Sequence, residues 1–382
     1  MDALAREQAL IAEYDDELRS QLPAGSEILD AHVHLGLDID GFRGDYTELE
    51  EIQSRYAIAR CNVFCLDEPD RHPAFRAAND RTLAFAARAG GRLIPYARLD
   101  INEQPIEEAT RCLDAGAQGI KLHPRAQRIQ LHDERLVPVF ELAAARKVPI
   151  LIHGGRGLPP IAEHLSNLVD RFVGTQLIIA HAGIADQAAL FSQFAGREGV
   201  YFDTSVWSPL DLLALFHHVS PEQILYASDY PYGQLPGSLI IALRVARTAG
   251  LGDDDVRGML GGNAARIADG GEPPRLTPPR KDDTFSQPIA FARIHQYLSM
   301  AAPLLWTRQP DTVGVIGLAL NATLERDGYQ DERDRIRELL TVARSLWDEM
   351  AAIDDPEERR RHMRATFRLV YLADVLAVTV GA

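Results

Sequence analysis

Eight short apolar runs alternate with longer segments of helical periodicity between residues 27 and about 233. The carboxyl ends of the runs fall near residues 32, 63, 98, 121, 153, 181, 203 and 229, at intervals of 22 to 35 residues. Each interval suits one strand, one helix and two loops, and continuous apolar runs are typical of parallel strands buried on both faces. The pattern predicts an α/β fold, a (β/α)8 TIM barrel. A doubly wound sheet also alternates, but no glycine-rich phosphate loop follows the first run.

A proline-rich segment, DGGEPPRLTPPRKDD, ends the alternation, and only helical patterns follow it. The clearest is an apolar stripe at spacings of three and four, formed by Ile336, Leu339, Leu340, Ala343, Leu346, Trp347 and Met350. We therefore expect an N-terminal helix over residues 1–26, the barrel over 27–270, a proline-rich linker over 271–283 and an all-helical C-terminal domain over 284–382. Such stripes must be buried within the domain, against the barrel or in a homo-oligomer, and we expect homo-oligomer formation through the C-terminal helices.

The charge balance restricts the partners. Forty Lys and Arg against 55 Asp and Glu give a formal net charge of −15, which disfavours nucleic acid and anionic membranes as partners. Three cysteines are too few for a disulfide framework. The N-terminus is charged throughout, and the apolar tail LVYLADVLAVTVGA is interrupted by Asp374 and falls short of the roughly 20 residues that span a bilayer. We expect a cytoplasmic protein that acts on a small molecule.

Histidine and aspartate recur at the carboxyl ends of the predicted strands, where the active sites of TIM barrels lie. The residues are His32, His34, Lys121, His123, His153, His181, Asp203 and Asp229. Strand alternation places His32 and His34 on one face, about 6–7 Å apart along the strand. Imidazole and carboxylate together suit Zn²⁺, Mn²⁺ or Fe²⁺ better than Ca²⁺ or Mg²⁺. The pattern predicts a transition-metal site in the barrel mouth.

The motifs DAHVH, GIKLHP, LIHGG, IIAHAG, YASDYPYG and GGNAARI, in this order, resemble the amidohydrolase superfamily. The similarity is to its amidohydrolase-related (amidohydrolase 2) branch of metal-dependent hydrolases and decarboxylases, and it covers about residues 27–268. The resemblance implies that His32, His34 and His153 are metal ligands, and that Asp229 is the last ligand and the proton-transfer group. It also implies that His181 orients water or substrate, or ligates a second ion. We expect one divalent ion, Zn²⁺ first, with Mn²⁺ or Fe²⁺ as alternatives.

Lys121 has three interpretations at this stage. In binuclear relatives a lysine at the end of the fourth strand becomes a carbamate that bridges two metals, and a second metal with carboxylated Lys121 is therefore one expectation. As an ammonium, Lys121 could instead hold a substrate carboxylate or polarise a carbonyl. The structural alternative is a lysine that extends from the barrel rim into water.

Other residues near the predicted strand ends have weaker signals. We expect Arg98, His123 and Arg156 to bind substrate, with a structural ion pair as the alternative for Arg98 and an exposed loop arginine as that for Arg156. Asp203 is expected to hydrogen-bond a ligand histidine. Asn263, in GGNAARI, is expected to cap the helix that closes the barrel.

The sequence therefore predicts a metal-dependent hydrolase of a small carboxylate-bearing amide, lactone or ester, which uses a metal-activated water. The alternative is a metal-dependent non-oxidative decarboxylase of an aromatic or unsaturated acid, because both reactions use the same ligands. A third hypothesis is an inactive barrel whose helical tail binds a partner. The complete set of ligand residues argues against it, since a binding protein would not need Asp229.

Overall fold

The computed structural model describes residues 2–280, 285–326 and 328–381. Within these ranges the core is a curled sheet in the order β2-β1-β3-β4-β5-β6-β7-β8-β9. The strands are β1 Ile28–Leu37, β2 Arg43–Gly44, β3 Ile58–Cys65, β4 Leu93–Arg98, β5 Gly119–Leu122, β6 Ile150–Ile152, β7 Leu177–Ile179, β8 Val200–Asp203 and β9 Ile224–Leu225. All neighbours pair in parallel except β1 and β2, which form a short antiparallel ribbon.

The sheet closes on itself where the last barrel strand meets the first. The amide of Ala31 donates to the carbonyl oxygen of Tyr226 at 2.9 Å, and Val33 and Tyr230 form a parallel bridge. Closure of β1 and β3–β9 gives the eight-stranded barrel that the apolar runs predicted. The TIM-barrel prediction is therefore confirmed.

Helices alternate with the strands and cover the barrel with their apolar faces, and further helices follow the last strand. The helices are α1 Ala3–Gln21, α2 Tyr46–Tyr56, α3 Arg76–Arg88, α4 Pro105–Asp114, α5 Pro124–Gln127, α6 Val137–Arg146, α7 Ala162–Arg171, α8 Gln187–Phe194, α9 Pro209–His218, α10 Gly237–Thr248, α11 Asp253–Arg257, α12 Asn263–Ala268, α13 Ile289–Trp306, α14 Thr312–Ala322, α15 Gln330–Glu349 and α16 Pro356–Val378. Local sequence sets several of their ends. Asp45, for example, accepts a hydrogen bond from the amide of Thr47 and begins α2.

The C-terminal helices pack on one another and on the barrel. The predicted stripe of α15 is buried at Ile336, Leu339 and Leu346, and α16 lies against α15, α13, α10 and α1. This packing buries the stripe within one chain, and homo-oligomer formation stays a prediction. Among the described residues, no helix combines the length and the apolarity that a membrane crossing requires.

The structure describes most of the proline-rich linker predicted after the barrel. Residues 271–280 form neither helix nor strand, and residues 281–283 of the predicted linker lie outside the described residues.

The cap predicted for Asn263 is wrong. Its side-chain amide donates to the carbonyl oxygens of Pro221 and Ile224, at 3.0 Å each. Asn263 does not cap a free helix end, because α12 continues directly from the helical turn Gly258–Gly262.

Candidate metal centre

Three side chains at the carboxyl end of the barrel converge on one point. Strand alternation places His32 and His34 on the same face of β1, and the loop after β9 brings Asp229 beside them. The Nε2 atoms of the two histidines are 3.2 Å apart, and Oδ1 of Asp229 lies 3.3 Å from each. We call this group, His32, His34 and Asp229, the ligand triangle.

The dimensions of the ligand triangle fit a divalent transition metal. Ligand atoms about 2.1 Å from one ion are separated by about 3.0 Å in octahedral and about 3.4 Å in tetrahedral geometry. The three separations fall between these two values. Oδ1 of Asp229 is buried without a hydrogen-bond partner, a costly arrangement that a cation would relieve. All three side chains are buried.

A buried carboxylate determines which nitrogen of His32 faces the triangle. Nδ1 of His32 lies 2.8 Å from Oδ2 of Asp203. Burial alone would raise the pKa of Asp203, but its interactions with His32, with His181 and with the hydroxyl of Ser205 outweigh burial and hold that pKa well below its usual value. An ionised carboxylate only accepts hydrogen bonds, so Nδ1 carries the proton and Nε2 offers a lone pair. Burial also lowers the pKa of His32 to about 3, which keeps the imidazole neutral. The hydrogen bond predicted for Asp203 is present.

Asp229 has an unusual backbone conformation and an unusual acidity. Its φ of 57° lies in the left-handed region, which aspartate tolerates better than most residues. Its amide donates to the carbonyl oxygen of His32 at 3.0 Å. This hydrogen bond joins the loop after β9 to β1 and fixes the conformation of Asp229. Burial raises the pKa of Asp229 well above its usual value, although the charge of Lys121 opposes the shift. A carboxyl group with a raised pKa is a stronger base than an exposed one, which favours a role in proton transfer.

His181 and His153 extend the cluster of histidines beyond the triangle. Nδ1 of His181 donates to the carbonyl oxygen of Ser205 at 2.9 Å, which leaves Nε2 as an acceptor. Nδ1 of His153 lies 2.9 Å from that Nε2 and must therefore donate to it. The remaining nitrogen, Nε2 of His153, is buried without a hydrogen-bond partner. It thus has the lone pair of a ligand atom, but His153 does not join the triangle among the described residues.

His123 and Gly155 hold the ring of His153. The rings of His123 and His153 stack with centroids 4.0 Å apart. A Cβ on Gly155 would lie 2.7 Å from Cε1 of His153, so only glycine fits there. His123 follows β5, and its Nδ1 also accepts a hydrogen bond from the amide of Ala126. Its predicted role in substrate binding stays a prediction.

Lys121 is fully buried beside the triangle, so the interpretation as a lysine that extends into water is wrong. Its Nζ lies 3.3 Å from Nε2 of His32 and 4.5 Å from the ring centroid of Phe64. Burial lowers the pKa of Lys121, and the charges of Asp203 and Asp229 only partly oppose this. A less basic amine has a larger neutral fraction, the form that reacts with CO2 to give a carbamate. The ammonium and carbamate interpretations both stay open.

Arg98 and Arg156 differ in their surroundings. Arg98 pairs in register with Lys121, donates to the carbonyl oxygen of Cys65 at 3.0 Å and lies 3.7 Å from Oδ1 of Asp67. The structural ion pair considered for Arg98 therefore exists. Arg156 is exposed in the loop after β6 and forms no ion pair with any residue that the structure describes. Substrate binding by either arginine stays a prediction.

Two residues of the site were missed in the sequence. Ser205 lies with Oγ 2.9 Å from Nδ1 of His181 and 2.5 Å from Oδ1 of Asp203. The ring of Phe64 stands edge-on to His34, with centroids 4.5 Å apart. Strand alternation indicates both positions. Ser205 follows Asp203 by two residues and so shares its face, whereas Phe64 follows Val63 by one residue and so lies on the opposite face, inside the barrel.

Comparison with known proteins places the chain in a family. The amidohydrolase family model (Amidohydro_2) matches residues 30–267. A search of curated proteins returned no significant match. A dihydroxybenzoic acid decarboxylase from Polaromonas sp. JS666 is 16% identical, with a TM-score of 0.52, over 64% of this chain and 97% of its own.

Two further solved structures share the fold. A 2,6-dihydroxybenzoate decarboxylase from Rhizobium is 16% identical, with a TM-score of 0.50, over 64% of this chain and 99% of its own. A TIM-barrel protein of uncharacterised function from Bordetella bronchiseptica is 15% identical, with a TM-score of 0.50 and the same coverage. At these identities the likeness concerns the barrel alone. The family match spans the strands that carry the ligand triangle, and the chain belongs to the amidohydrolase family.

Proposed function

We propose that this protein is a metal-dependent hydrolase of a small carboxylate-bearing amide, lactone or ester. The observation that carries the proposal is the ligand triangle, in which two neutral imidazoles and a carboxylate oxygen without a partner surround one point. A binding protein would gain nothing from burying such a group, because it costs free energy unless a cation occupies it. Amidohydrolase family membership supports the same interpretation.

His32, His34 and Asp229 would hold the ion, and His153 would join them through its free Nε2. The donor set of imidazole and carboxylate favours Zn²⁺, with Mn²⁺ or Fe²⁺ as alternatives. A second ion would require carboxylation of Lys121. A divalent ion at this position supplies Lewis-acid chemistry, in that it lowers the pKa of a water molecule and polarises a carbonyl group.

The protein side chains would divide the remaining work. Asp229, with its raised pKa, would take the proton from the attacking water and deliver it to the leaving group. His181 would orient the water or the substrate. Its Nδ1 is committed to the carbonyl oxygen of Ser205, and its Nε2 accepts a hydrogen bond from His153, so this role requires Nε2 to exchange His153 for the water or the substrate. Lys121, as an ammonium, and Arg98, His123 and Arg156 would bind the substrate carboxylate.

A decarboxylase is the second candidate, and the aromatic surroundings of the site favour it. The ring of Tyr232 stands edge-on to His34 with centroids 5.6 Å apart, and Phe42 lies 4.8 Å from Tyr232. Aromatic walls suit planar acids. The decarboxylase from Polaromonas sp. JS666 has bound manganese, so Mn²⁺ belongs in any loading experiment.

The test separates the two reactions by the fate of water oxygen. Metal-free protein is loaded with Zn²⁺ or Mn²⁺ and incubated in H2¹⁸O with panels of lactones, amides, esters and aromatic acids. Hydrolysis places one ¹⁸O in the product acid and releases no CO2, whereas stoichiometric CO2 without ¹⁸O in the organic product overturns the hydrolase proposal. Asp229→Asn should lose turnover, because asparagine tolerates the same backbone conformation but accepts no proton. His218→Ala, which changes an exposed histidine on α9, is the matched control.

A further inference from the structure

Two neighbouring histidines lie outside the ligand triangle, on the outer side of the barrel. His132, in the segment between α5 and α6, lies beside His164 near the start of α7, and their ring centroids are 5.3 Å apart. Both line a cavity of about 180 Å³ that opens to solvent between this segment and α7. We infer that these two imidazoles, the peripheral pair, bind a divalent transition-metal ion at a site separate from the ligand triangle.

The spacing of the peripheral pair fits two ligands of one ion. An ion about 2.1 Å from one nitrogen of each ring separates the two ring centroids by about 5.2 Å in tetrahedral geometry. The rings of His132 and His164 are 5.3 Å apart and inclined by 55°. His32 and His34, two corners of the ligand triangle, have nearly the same arrangement, at 5.1 Å and 48°. The chain therefore presents this imidazole spacing twice.

Both imidazoles of the peripheral pair are available for ligation. Neither ring forms a hydrogen bond or an ion pair with any residue that the structure describes. His132 is exposed and His164 is half-buried, so an ion in the cavity can reach both rings from solvent. Imidazole nitrogen suits Zn²⁺, Ni²⁺ and Cu²⁺, whereas Ca²⁺ and Mg²⁺ prefer oxygen ligands. The pair should therefore select a transition metal.

The charges around the cavity argue against an anion as its ligand. Asp133, Glu134 and Arg171 line the cavity together with the two histidines. Arg171 lies 3.8 Å from Oε2 of Glu134, and Asp133 pairs with Arg135. Because each guanidinium has a carboxylate partner, an anion would meet no unpaired arginine in the described part of this cavity. Glu134 has an exposed side chain, which would supply a carboxylate ligand by turning from Arg171 toward the ion.

An ion on the peripheral pair would join two successive units of the barrel. The segment of His132 follows β5, which carries Lys121, and α7 follows β6, whose end is next to His153. Two imidazoles and water should hold an ion more weakly than the ligand triangle with its buried carboxylate. We therefore expect dialysis against a metal-free buffer to empty the pair first. The site goes beyond the proposed function and does not depend on it.

The experiment counts Ni²⁺ bound by the full-length, untagged His34→Ala protein, in which the ligand triangle lacks one corner. Ni²⁺ is titrated by isothermal titration calorimetry in a buffer that does not bind metals. Adding His132→Ala or His164→Ala to this parent should remove one equivalent of saturable Ni²⁺ binding. Ni²⁺ held by the residual groups of the triangle is common to all these proteins and cancels in the difference. Glu134→Gln should lower the affinity and keep the equivalent.

Two other histidines provide matched controls in the same parent. His218→Ala, at an exposed position on α9, should keep the full number of Ni²⁺ equivalents. His72→Ala tests a competing site, because ligand atoms of His72, Asp100 and Glu103 lie within 4.8 Å of one another. An unchanged number of equivalents in both pair variants, or a loss in His72→Ala alone, overturns the inference.

Thermal melting separates lost ligation from lost folding. Without metal, the pair variants should melt like the His34→Ala parent, since His132 is exposed and His164 is half-buried. Saturating Ni²⁺ should raise the melting temperature of the parent more than that of either pair variant, because an ion bound only by the folded state stabilises it by mass action. Equal shifts in the parent and both pair variants would also overturn the inference.

Discussion

Oδ2 of Asp203 accepts a hydrogen bond from Nδ1 of His32 at 2.8 Å, and both side chains are fully shielded from solvent. The other oxygen of the same carboxylate accepts from the backbone amides of His181 and Ser205, at 2.8 and 3.1 Å. One buried carboxylate thus fixes the protonated nitrogen of His32 and the backbone that carries His181. This arrangement orients the candidate ligand before any ion arrives.

Asp203→Asn should weaken metal binding about 10- to 100-fold, because the asparagine amide cannot reproduce both accepting oxygens and His32 loses its fixed tautomer. Affinity is measured by competition with a chelating dye for Zn²⁺. Asp170→Asn, at an exposed carboxylate, is the control and should not change the affinity. An Asp203→Asn protein that binds zinc as tightly as the wild type would show that this hydrogen bond does not orient a ligand.

His32→Ala and His34→Ala should each reduce the bound metal from one equivalent per chain to a small fraction, since each removes a corner of the ligand triangle. Bound metal is measured by elemental analysis after dialysis against a metal-free buffer. His218→Ala is the matched histidine control. A full equivalent of metal in both triangle variants would place the ion elsewhere. His153→Ala in the same series tests whether its free Nε2 also contributes.

The barrel could be predicted from sequence because its signal is local and repeated. Each apolar run, such as GIKLHP, ends in polar residues at nearly constant spacing, and parallel strand ends must meet at one edge. The same argument brings His32, His34 and Asp229 together although they are far apart in sequence. Asn263 was assigned wrongly because its helix has no free start, which depends on how the preceding turn continues.

The packing of α16 against the barrel could not be predicted, for a different physical reason. The contact joins Trp207 on the barrel rim to Phe367 on α16, 160 positions apart, and no repeat links the two segments. Amphipathic periodicity indicates that α16 buries one face, but it does not say which surface receives that face. The docking of α16 depends on individual pairs such as Tyr371 with Val206, which only the folded chain reveals.

Arg244 should be a stabilising link between the barrel and both terminal segments. Its buried guanidinium donates to Glu17 on α1 at 2.8 Å and to Thr379 Oγ1 after α16 at 2.9 Å. Arg244→Leu should lower the free energy of unfolding by about 1.5–3 kcal/mol, the contribution of hydrogen bonds to a charged group. Urea unfolding measures the change. Arg146→Leu, which breaks an exposed ion pair with Asp114, should cost less than about 1 kcal/mol. Equal losses in the two variants would contradict the proposed link.

His295 on α13 and Asp374 on α16 should make the stability of the helical region depend on pH. Nδ1 of His295 lies 2.7 Å from Oδ1 of Asp374. Burial lowers the pKa of His295, but the hydrogen bond and charge of Asp374, with a smaller contribution from Asp211, outweigh burial and raise it. A histidine with a raised folded-state pKa contributes stability that is fully present below its unfolded pKa of about 6.5 and is lost as the pH rises through the folded value.

His295→Gln should therefore destabilise the protein at about pH 6 and by progressively less toward about pH 9, where the wild-type imidazole is neutral as well. The measurement is the difference in unfolding free energy between variant and wild type, obtained by urea titration across this range. Comparison within one pH removes the contribution of the titrating groups that do not interact with His295, whereas Asp374 is part of the measured pair. His218→Gln, at an exposed histidine, should show no such trend. A His295→Gln difference that is constant across the range would mean that the pair contributes a hydrogen bond without a charge.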